Sequence, residues 1–373
     1  MSDNYQMRKN GWKECKLGDA AVFQRGHDLP KTEMKMGAIP VAGSNGIIGY
    51  HNESTTKGPG LTIGRSGNIG TPKFYRDDFW AHNTVLYVKD FKGNDEKYIF
   101  YFLQTFDFEG FNAGSAVPTL NRNHIHEIPV VIPPVPEQQA IAGVLSSLDD
   151  KIDLLHRQNK TLEGMAEALW REMFVEEADP GWKKGKLGDI AEINPLRSIK
   201  NGAIATYLDM SNMPTNSPFP KEWVQREFSS GMKFKNGDTV MARITPCLEN
   251  GKTAYVNFLN HEEIAWGSTE YIVLTPKPGY YPEWYYFLAR NDDFRDFAIQ
   301  NMTGTSGRQR VSGDSIAEYE IAIPPINFLE RFRTFAGPVM EHIRQNSFQI
   351  RTLSRLRDTL LPKLMSGEVR VKL

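Results

Sequence analysis

Cysteine is nearly missing from this chain. Cys15 and Cys247 are the only two in 373 residues, too few for a disulfide framework or a cysteine-rich zinc site. A reducing compartment suits such a chain. No run of about 18 apolar residues exists, which excludes a spanning helix. The first ten residues, MSDNYQMRKN, have no apolar stretch of the secretory kind. The expectation is a cytoplasmic protein with no membrane partner. Charge of one sign is missing too: 44 basic residues face 45 acidic ones, a net of −1. That excludes a wholly basic nucleic-acid coat, but not a chain whose charges are segregated between faces.

Catalytic patterns are equally scarce. There are eight histidines, none in a convincing metal spacing, and His124-Ile125-His126 stands isolated. The run Gly64-Arg65-Ser66-Gly67-Asn68-Ile69-Gly70 has the glycines of a phosphate loop without its Lys-Ser/Thr or a following helix. The Asn-Pro-Pro-Tyr type of sequence expected of an adenine methyltransferase is missing, and Asn194-Pro195-Leu196 does not supply it. The chain is therefore read as a non-enzyme that holds no metal and no cofactor of its own.

What the sequence does contain is itself, twice. Gly11-Trp12-Lys13-Glu14-Cys15-Lys16-Leu17-Gly18-Asp19 returns as Gly181-Trp182-Lys183-Lys184-Gly185-Lys186-Leu187-Gly188-Asp189, with seven of nine positions matching at an offset of 170. Ile132-Pro133-Pro134-Val135 returns as Ile323-Pro324-Pro325-Ile326 at an offset of 191. Two markers in the same order make two copies of one unit, far too long for a solenoid repeat. Apolar residues at 40% and charged residues at 24% give each copy an ordinary core.

Within each copy the pattern changes at the Pro-Pro pair. Before it, short apolar runs alternate with Gly, Asn and Pro, among them Gly60 to Gly64, Thr84 to Val88, Asp238 to Arg243 and Tyr271 to Leu274; these are strand and turn signals. Tyr98 to Phe108 and Pro282 to Phe297 are expected to be helical, with Phe102, Phe106, Tyr286 and Phe294 as core aromatics. After the pair, residues 136–174 and 327–366 read as long helices. In the first, Leu145, Leu148, Ile152, Leu155, Asn159, Leu162, Ala166, Leu169 and Met173 step by three and four, the seam of a coiled coil. The offset of 191 projects a second seam through Val339, Ile343, Asn346, Ile350, Leu353, Arg357, Leu360 and Leu364. An antiparallel pairing places Asn159 opposite Asn346, Ile152 opposite Leu353, Leu155 opposite Ile350 and Leu162 opposite Ile343, with the asparagines setting the register. Pro338 and Pro362 are expected to kink or interrupt the second helix.

The expected fold is therefore α+β: two globular β-rich domains in a tandem pseudo-repeat, separated by two long antiparallel coiled-coil helices. The boundaries are residues 1–135 for the first domain, 136–175 for the first helix, 176–326 for the second domain and 327–373 for the second helix.

This layout resembles the specificity subunits of type I restriction–modification systems. The resemblance spans essentially the whole chain. It is carried by Trp12-Lys13 to Leu17-Gly18-Asp19, by Ile132-Pro133-Pro134-Val135-Pro136-Glu137-Gln138-Gln139 and by Leu148-Asp149-Asp150-Lys151-Ile152-Asp153. The second copy departs from it, since Ile323-Pro324-Pro325-Ile326 leads into Asn327-Phe328-Leu329 without the Glu-Gln pair. The resemblance implies two target-recognition domains that each read half of a split double-stranded DNA target, and helices that fix the spacing. It also implies a non-catalytic chain that assembles two methyltransferase subunits with restriction subunits. S-adenosylmethionine, ATP and magnesium would then sit on those partners. Two other readings stay open: a self-sufficient DNA modification enzyme, which methyl transfer by the isolated chain would reveal, and a two-headed structural adaptor that does not bind DNA.

Base edges call for Arg, Lys, Asn and Gln on loops, and phosphates for Lys, Arg, Ser, Thr and free amides. In the first domain the candidates are Arg65, Asn68 and Lys73, followed by Asn121 and Arg122 in the stretch before the Pro-Pro pair. In the second they are Arg243, Thr245 and Lys252, then Thr305, Ser306, Arg308, Gln309 and Arg310. Gly43-Ser44-Asn45-Gly46 reads as a hairpin turn rather than a contact, and Lys233-Phe234-Lys235-Asn236 as a solvated turn. The helix-pairing candidates are Leu148, Ile152, Leu155, Asn159, Leu162, Ile343, Asn346, Ile350 and Leu353.

Overall fold

The computed structural model describes residues 11–108, 110, 119–305 and 307–372. The chain is α+β and divides into two compact units, one of residues 1–151 with 353–373, the other of residues 152–352. Each unit thus takes one stretch of each long helix.

Unit one opens with β1 (Lys13–Lys16), which pairs antiparallel with β9 (Pro129–Ile132). Entry and exit of the unit are therefore laced together. Between them, β2 (Val22–Arg25), β5 (Gly60–Gly64), β6 (Pro72–Tyr75) and β8 (Val85–Asp90) form an antiparallel sheet in the order β2-β8-β5-β6. Every residue of β5 is buried. Burial along its whole length, with Thr62 as the one polar side chain, marks a central strand covered on both faces. A smaller sheet of β3 (Ile39–Gly43), β4 (Gly46–His51) and β7 (Trp80–Ala81) runs in the order β4-β3-β7, with β3 and β7 parallel. Ala42, Phe79, Ala81, Val85 and Tyr87 fill the space between the two sheets. The helix Glu96–Leu103 covers the larger sheet, started by Asp95, whose carboxylate accepts from the Tyr98 amide at 2.8 Å. Its Tyr98 and Phe102 are core residues stacked at 5.7 Å.

Unit two repeats this plan. Its β10 (Lys184–Lys186) pairs with β19 (Glu320–Ala322). The larger sheet is β11-β18-β15-β16, made of Ala191–Ile193, Tyr271–Pro276, Thr239–Ala242 and Thr253–Tyr255. The smaller is β13-β12-β17-β14, made of Val224–Glu227, Ile204–Leu208, Ala265–Gly267 and Met232–Phe234. The parallel pair recurs as β12 with β17, and Trp266 stands where Trp80 stands in unit one. The copies differ mainly in this sheet. β14 is additional, and the β3–β4 turn is replaced by the long connection 209–223. That connection packs on the second long helix through Trp223, which lies under the Arg351 guanidinium at 3.8 Å.

Three expectations need correction. Phe234 is no turn residue: it ends β14, fully buried among Leu208, Val240 and Tyr271, because in Met232-Lys233-Phe234 side chains alternate faces and Phe234 shares that of Met232. Pro282 to Phe297 is two helices, Pro282–Arg290 and Asp292–Gln300, since Asn291 turns extended and caps the second by accepting from the Phe294 amide. Pro338 and Pro362 do not interrupt the second long helix, which is continuous from Ile326 to Ser366. Each proline forfeits one backbone bond. The segments around them are held instead by packing: Phe332, Ala336, Val339, Met340 and Ile343 in the core of unit two, Leu364 and Met365 in that of unit one.

The first long helix runs from Val135 to Arg171 and ends in a π-turn at Glu172–Glu176. In unit two, Ala166 and Trp170 enter the core, and the Tyr286 hydroxyl donates to buried Glu163. Burial pushes the Glu163 carboxyl up from its ordinary range. In the same unit, Asn346 Nδ2 donates to Asn159 Oδ1 at 2.9 Å, and Asn159 Nδ2 donates to Ser347 Oγ at 3.2 Å. In unit one, Arg357 donates to Asp149 at 2.8 Å and Tyr101 to the same carboxylate at 2.6 Å. Within unit two, Asn159 meets Asn346 while Phe174 meets Phe332 at 5.5 Å, so numbers fall along one helix as they rise along the other and the two stretches run antiparallel. Of the pairing candidates, Ile152, Leu155, Asn159, Ile343 and Asn346 are buried, and Leu148, Leu162, Ile350 and Leu353 half-buried.

An Asn159→Leu variant is expected to lose about 1–3 kcal/mol, because Asn346 is left buried without its partner. The double variant with Asn346→Leu is expected to regain that loss, since an apolar pair suits a seam better than a polar one. Thermal denaturation of the two variants beside the parent protein checks both statements.

Candidate nucleic-acid interface

The sequence singled out two loops in each copy, and the structure joins them. In unit one, Arg65 leaves the end of β5; its carbonyl accepts from the Leu120 amide at 2.8 Å, and Ser66 bridges to Thr119. In unit two, Arg243 leaves the end of β15, and its carbonyl accepts from the Val311 amide at 3.0 Å. The same backbone bond thus ties the same two loops in both copies. A second bond recurs beside it: the Arg65 amide donates to the Thr84 carbonyl, and the Arg243 amide to the Glu270 carbonyl. After each junction a polar residue caps a short helix. Asn121 accepts from the Asn123 amide before Arg122–His126, and Ser312 accepts from the Ser315 amide before Gly313–Ala317.

The candidates divide into tied and free side chains. Arg310 is tied: its guanidinium holds the Glu270 carboxylate through Nε at 2.8 and 2.9 Å and Nη2 at 2.7 Å. Its backbone pairs with Thr303 and Ile244, closing the 303–310 loop onto the 243–245 loop. Lys252 donates to the Met210 carbonyl at 2.6 Å and serves the protein's own backbone. Lys73 is a strand residue of β6 opposite Thr62 rather than a loop residue. Thr245 takes the Gln309 carbonyl through its amide at 3.1 Å, so Thr245 and Gln309 build the junction. Arg65 Nη1 reaches the Asn83 carbonyl at 3.3 Å. Among the described residues, Asn68, Arg122, Thr305 and Arg308 are exposed with no side-chain hydrogen bond or ion pair. Ser306 lies outside the described residues, as does the stretch 111–118 before Thr119.

Arg243 is free in a different way. It lines an open polar cleft of about 540 Å³ with Asn194, Ser312, Gly313 and Asp314. Its Nε is buried with no hydrogen-bond partner among the described residues. In unit one the corresponding space is taken by His126, whose Nε2 accepts from the Phe23 amide at 2.9 Å. Ala317 stands in its place in unit two, at the same separation of 191 that relates the Pro-Pro markers. Burial lowers the His126 pKa, favouring the neutral ring that such acceptance needs.

Sequence reasoning missed Thr84, Glu270, Asn194 and Asp314. Glu270 and Thr84 lie in the approach to β18 and β8, far from the loops they organise, and nothing in their neighbours marks them. Among the described residues no cluster of His, Cys, Asp or Glu is arranged to hold a metal ion, and no helix is long and apolar enough to cross a membrane.

Two copies of one sheet-and-loop plan, each joined to a stretch of both long helices, agree with what comparison gives. The pattern of the family described as "Type I restriction modification DNA specificity domain" matches residues 9–164 and again 180–328. The chain belongs to that family. It is a specificity subunit of the type I restriction–modification kind, and in that family the subunit is non-catalytic. It is 26% identical over 388 residues to the type I restriction enzyme MjaIX specificity subunit of Methanocaldococcus jannaschii, covering 96% of this chain and 81% of that one. It is 22% identical over 340 residues to a putative type I specificity subunit of Haemophilus influenzae, covering 82% and 83% of the two. Its fold is similar to the crystal structure of a type I restriction–modification S subunit from M. genitalium, with a TM-score of 0.66 at 15% identity over 97% of this chain and 96% of that one.

Proposed function

We propose that this specificity subunit reads a bipartite DNA target, one block with each unit, and assembles methyltransferase and restriction subunits on itself. The observation that carries the reading is the repeated junction: Arg65 with Leu120 in one unit, Arg243 with Val311 in the other. The junctions bring exposed Asn68 and Arg122 in unit one, and exposed Thr305 and Arg308 in unit two, onto one loop cluster in each unit fixed by backbone bonds. Preorganised donors of this kind lose little entropy on meeting base edges and phosphates. Catalysis belongs to the partners in this reading, two methyltransferase subunits and the restriction subunits, which supply the S-adenosylmethionine, ATP and magnesium sites. The segments 1–135 and 176–326 then serve as target-recognition domains, and 136–175 and 327–373 as the spacer.

The test is selection from a random duplex library by the full chain, with and without co-expressed methyltransferase subunit. The expected product is two short conserved blocks separated by a gap of fixed length. Binding should weaken steeply with salt, by about one logarithmic step per tenfold salt for each phosphate neutralised. Selection of one continuous block, or of no sequence at all, would overturn the proposal.

A further inference from the structure

The turn between β3 and β4 is not an isolated hairpin tip. The Ser44 amide donates to Thr84 Oγ1 at 3.3 Å, while the Thr84 carbonyl accepts from the amides of Arg65 and Ser66 at 2.8 and 3.2 Å. One residue therefore anchors both the turn and the Arg65 loop. His82 Nδ1 lies 3.0 Å from the same hydroxyl and completes its hydrogen bonding. The turn is in van der Waals reach of that loop and of β6 as well. A β-carbon built on Gly67 would stand 3.7 Å from Ser44 Oγ, and one on Gly46 3.8 Å from Lys73 Cε. Gly46 itself has φ +115°, a conformation that side-chain-bearing residues avoid, so the two-residue turn depends on it.

The counterpart of Thr84 in unit two is Glu270, identified by the shared carbonyl bond to Arg65 and Arg243. There the organising side chain holds Arg310; here it holds the Ser44 amide. The same position thus recruits one further element to the loop cluster in each unit, an arginine in one and a hairpin turn in the other. Asn45 sits at the apex of that turn, exposed, and its amide side chain makes no hydrogen bond among the described residues. On β4 beyond it, Ile47 and Tyr50 are 54% and 56% exposed, on the edge strand of a small sheet.

We infer that Ser44-Asn45 is a third base-reading element of unit one, presented on the β3–β4 ribbon, with Thr84 as the residue that positions it. The inference rests on the proposed DNA-reading function. A two-stranded ribbon fits the major groove of B-form DNA, where a free asparagine amide pairs with adenine N6 and N7 and apolar side chains meet the thymine methyl.

The experiment uses the full chain and the bipartite duplex selected from the random library, with each base pair of both blocks varied in turn. Asn45→Ala is expected to weaken binding about tenfold and to relax the preference at one or two base pairs. Those positions should fall in the same block that Arg65→Ala disturbs, with the other block read as before. Retention of that other block shows that the protein is folded. Thr84→Val keeps the carbonyl but removes the hydroxyl, and is expected to relax the same positions about threefold, with recovery in Thr84→Ser. If Asn45→Ala keeps the parent preference while Arg65→Ala loses its block, the turn reads nothing and the inference is wrong although the DNA-reading function stands. If the parent chain selects no bipartite duplex, that function fails and takes this inference with it.

Discussion

Asp238→Ala is expected to destabilise unit two by about 3–5 kcal/mol, the cost of leaving a buried charge without its partner. Asp238 is 1% exposed and Arg197 8%. The carboxylate receives the Arg197 guanidinium in a two-point contact, the Lys235 amide at 2.7 Å and the Thr275 hydroxyl at 2.6 Å. Removing it strands three donors at once, one of them charged. In a unit of this size that loss is expected to lower the melting temperature by roughly 6–20 °C, read by thermal denaturation. Asp238→Ala combined with Arg197→Met should recover much of the loss, because an apolar residue of similar length replaces the stranded cation. A double variant as unstable as the single would assign the effect to the β14–β15 turn rather than to the charge.

Arg243→Ala is expected to weaken binding of the selected duplex about ten- to hundredfold, the range of about 1–3 kcal/mol that one bidentate base contact supplies. The loss should fall on one block, the one that Arg65→Ala leaves alone. Arg308→Ala is expected to act on that same block. Arg310→Ala should behave differently: it uncovers the Glu270 carboxylate beside the loops, where a bare negative charge repels phosphate. Replacing Glu270 by alanine as well should therefore return part of the affinity, a pattern that a direct base contact by Arg310 would not give. Fluorescence anisotropy on duplexes with each block scrambled separates these cases. A uniform loss across random DNA with a shallower salt slope would make Arg243 a phosphate ligand.

The repeat, the two long helices and the opposed asparagines were legible because each leaves a periodic or duplicated trace. Leu155, Asn159 and Leu162 announce a seam by spacing alone, and Gly11 to Asp19 announces a second copy by identity. The prolines misled because the rule for Pro338 concerns one backbone bond, whereas the helix around it is decided by the burial of Phe332, Ala336 and Met340. The candidate interface was legible by halves. Arg65 and Arg308 stand in glycine-rich loops, and Arg243 ends an apolar strand run just before Thr245-Pro246, all local signals that a loop begins. That Arg310 is spoken for by Glu270 is a contact across 40 residues, and no local pattern encodes it. Ser44-Asn45 looked like turn chemistry and nothing more, because its second role comes from Thr84, a neighbour only in space.

The ladders of β1 with β9 and of β10 with β19 have a consequence for how such a chain can change. Lys13 faces Ile132, and Lys184 faces Ala322, so all the proposed reading loops are inserted between two strands that already hold hands. Lys16 with Glu127 and Lys186 with Glu318 fasten the two necks alike. A foreign sequence entering and leaving at those points meets the same doorway in either copy. On the proposed function, this geometry lets reading loops be exchanged as cargo while the frame that carries them stays.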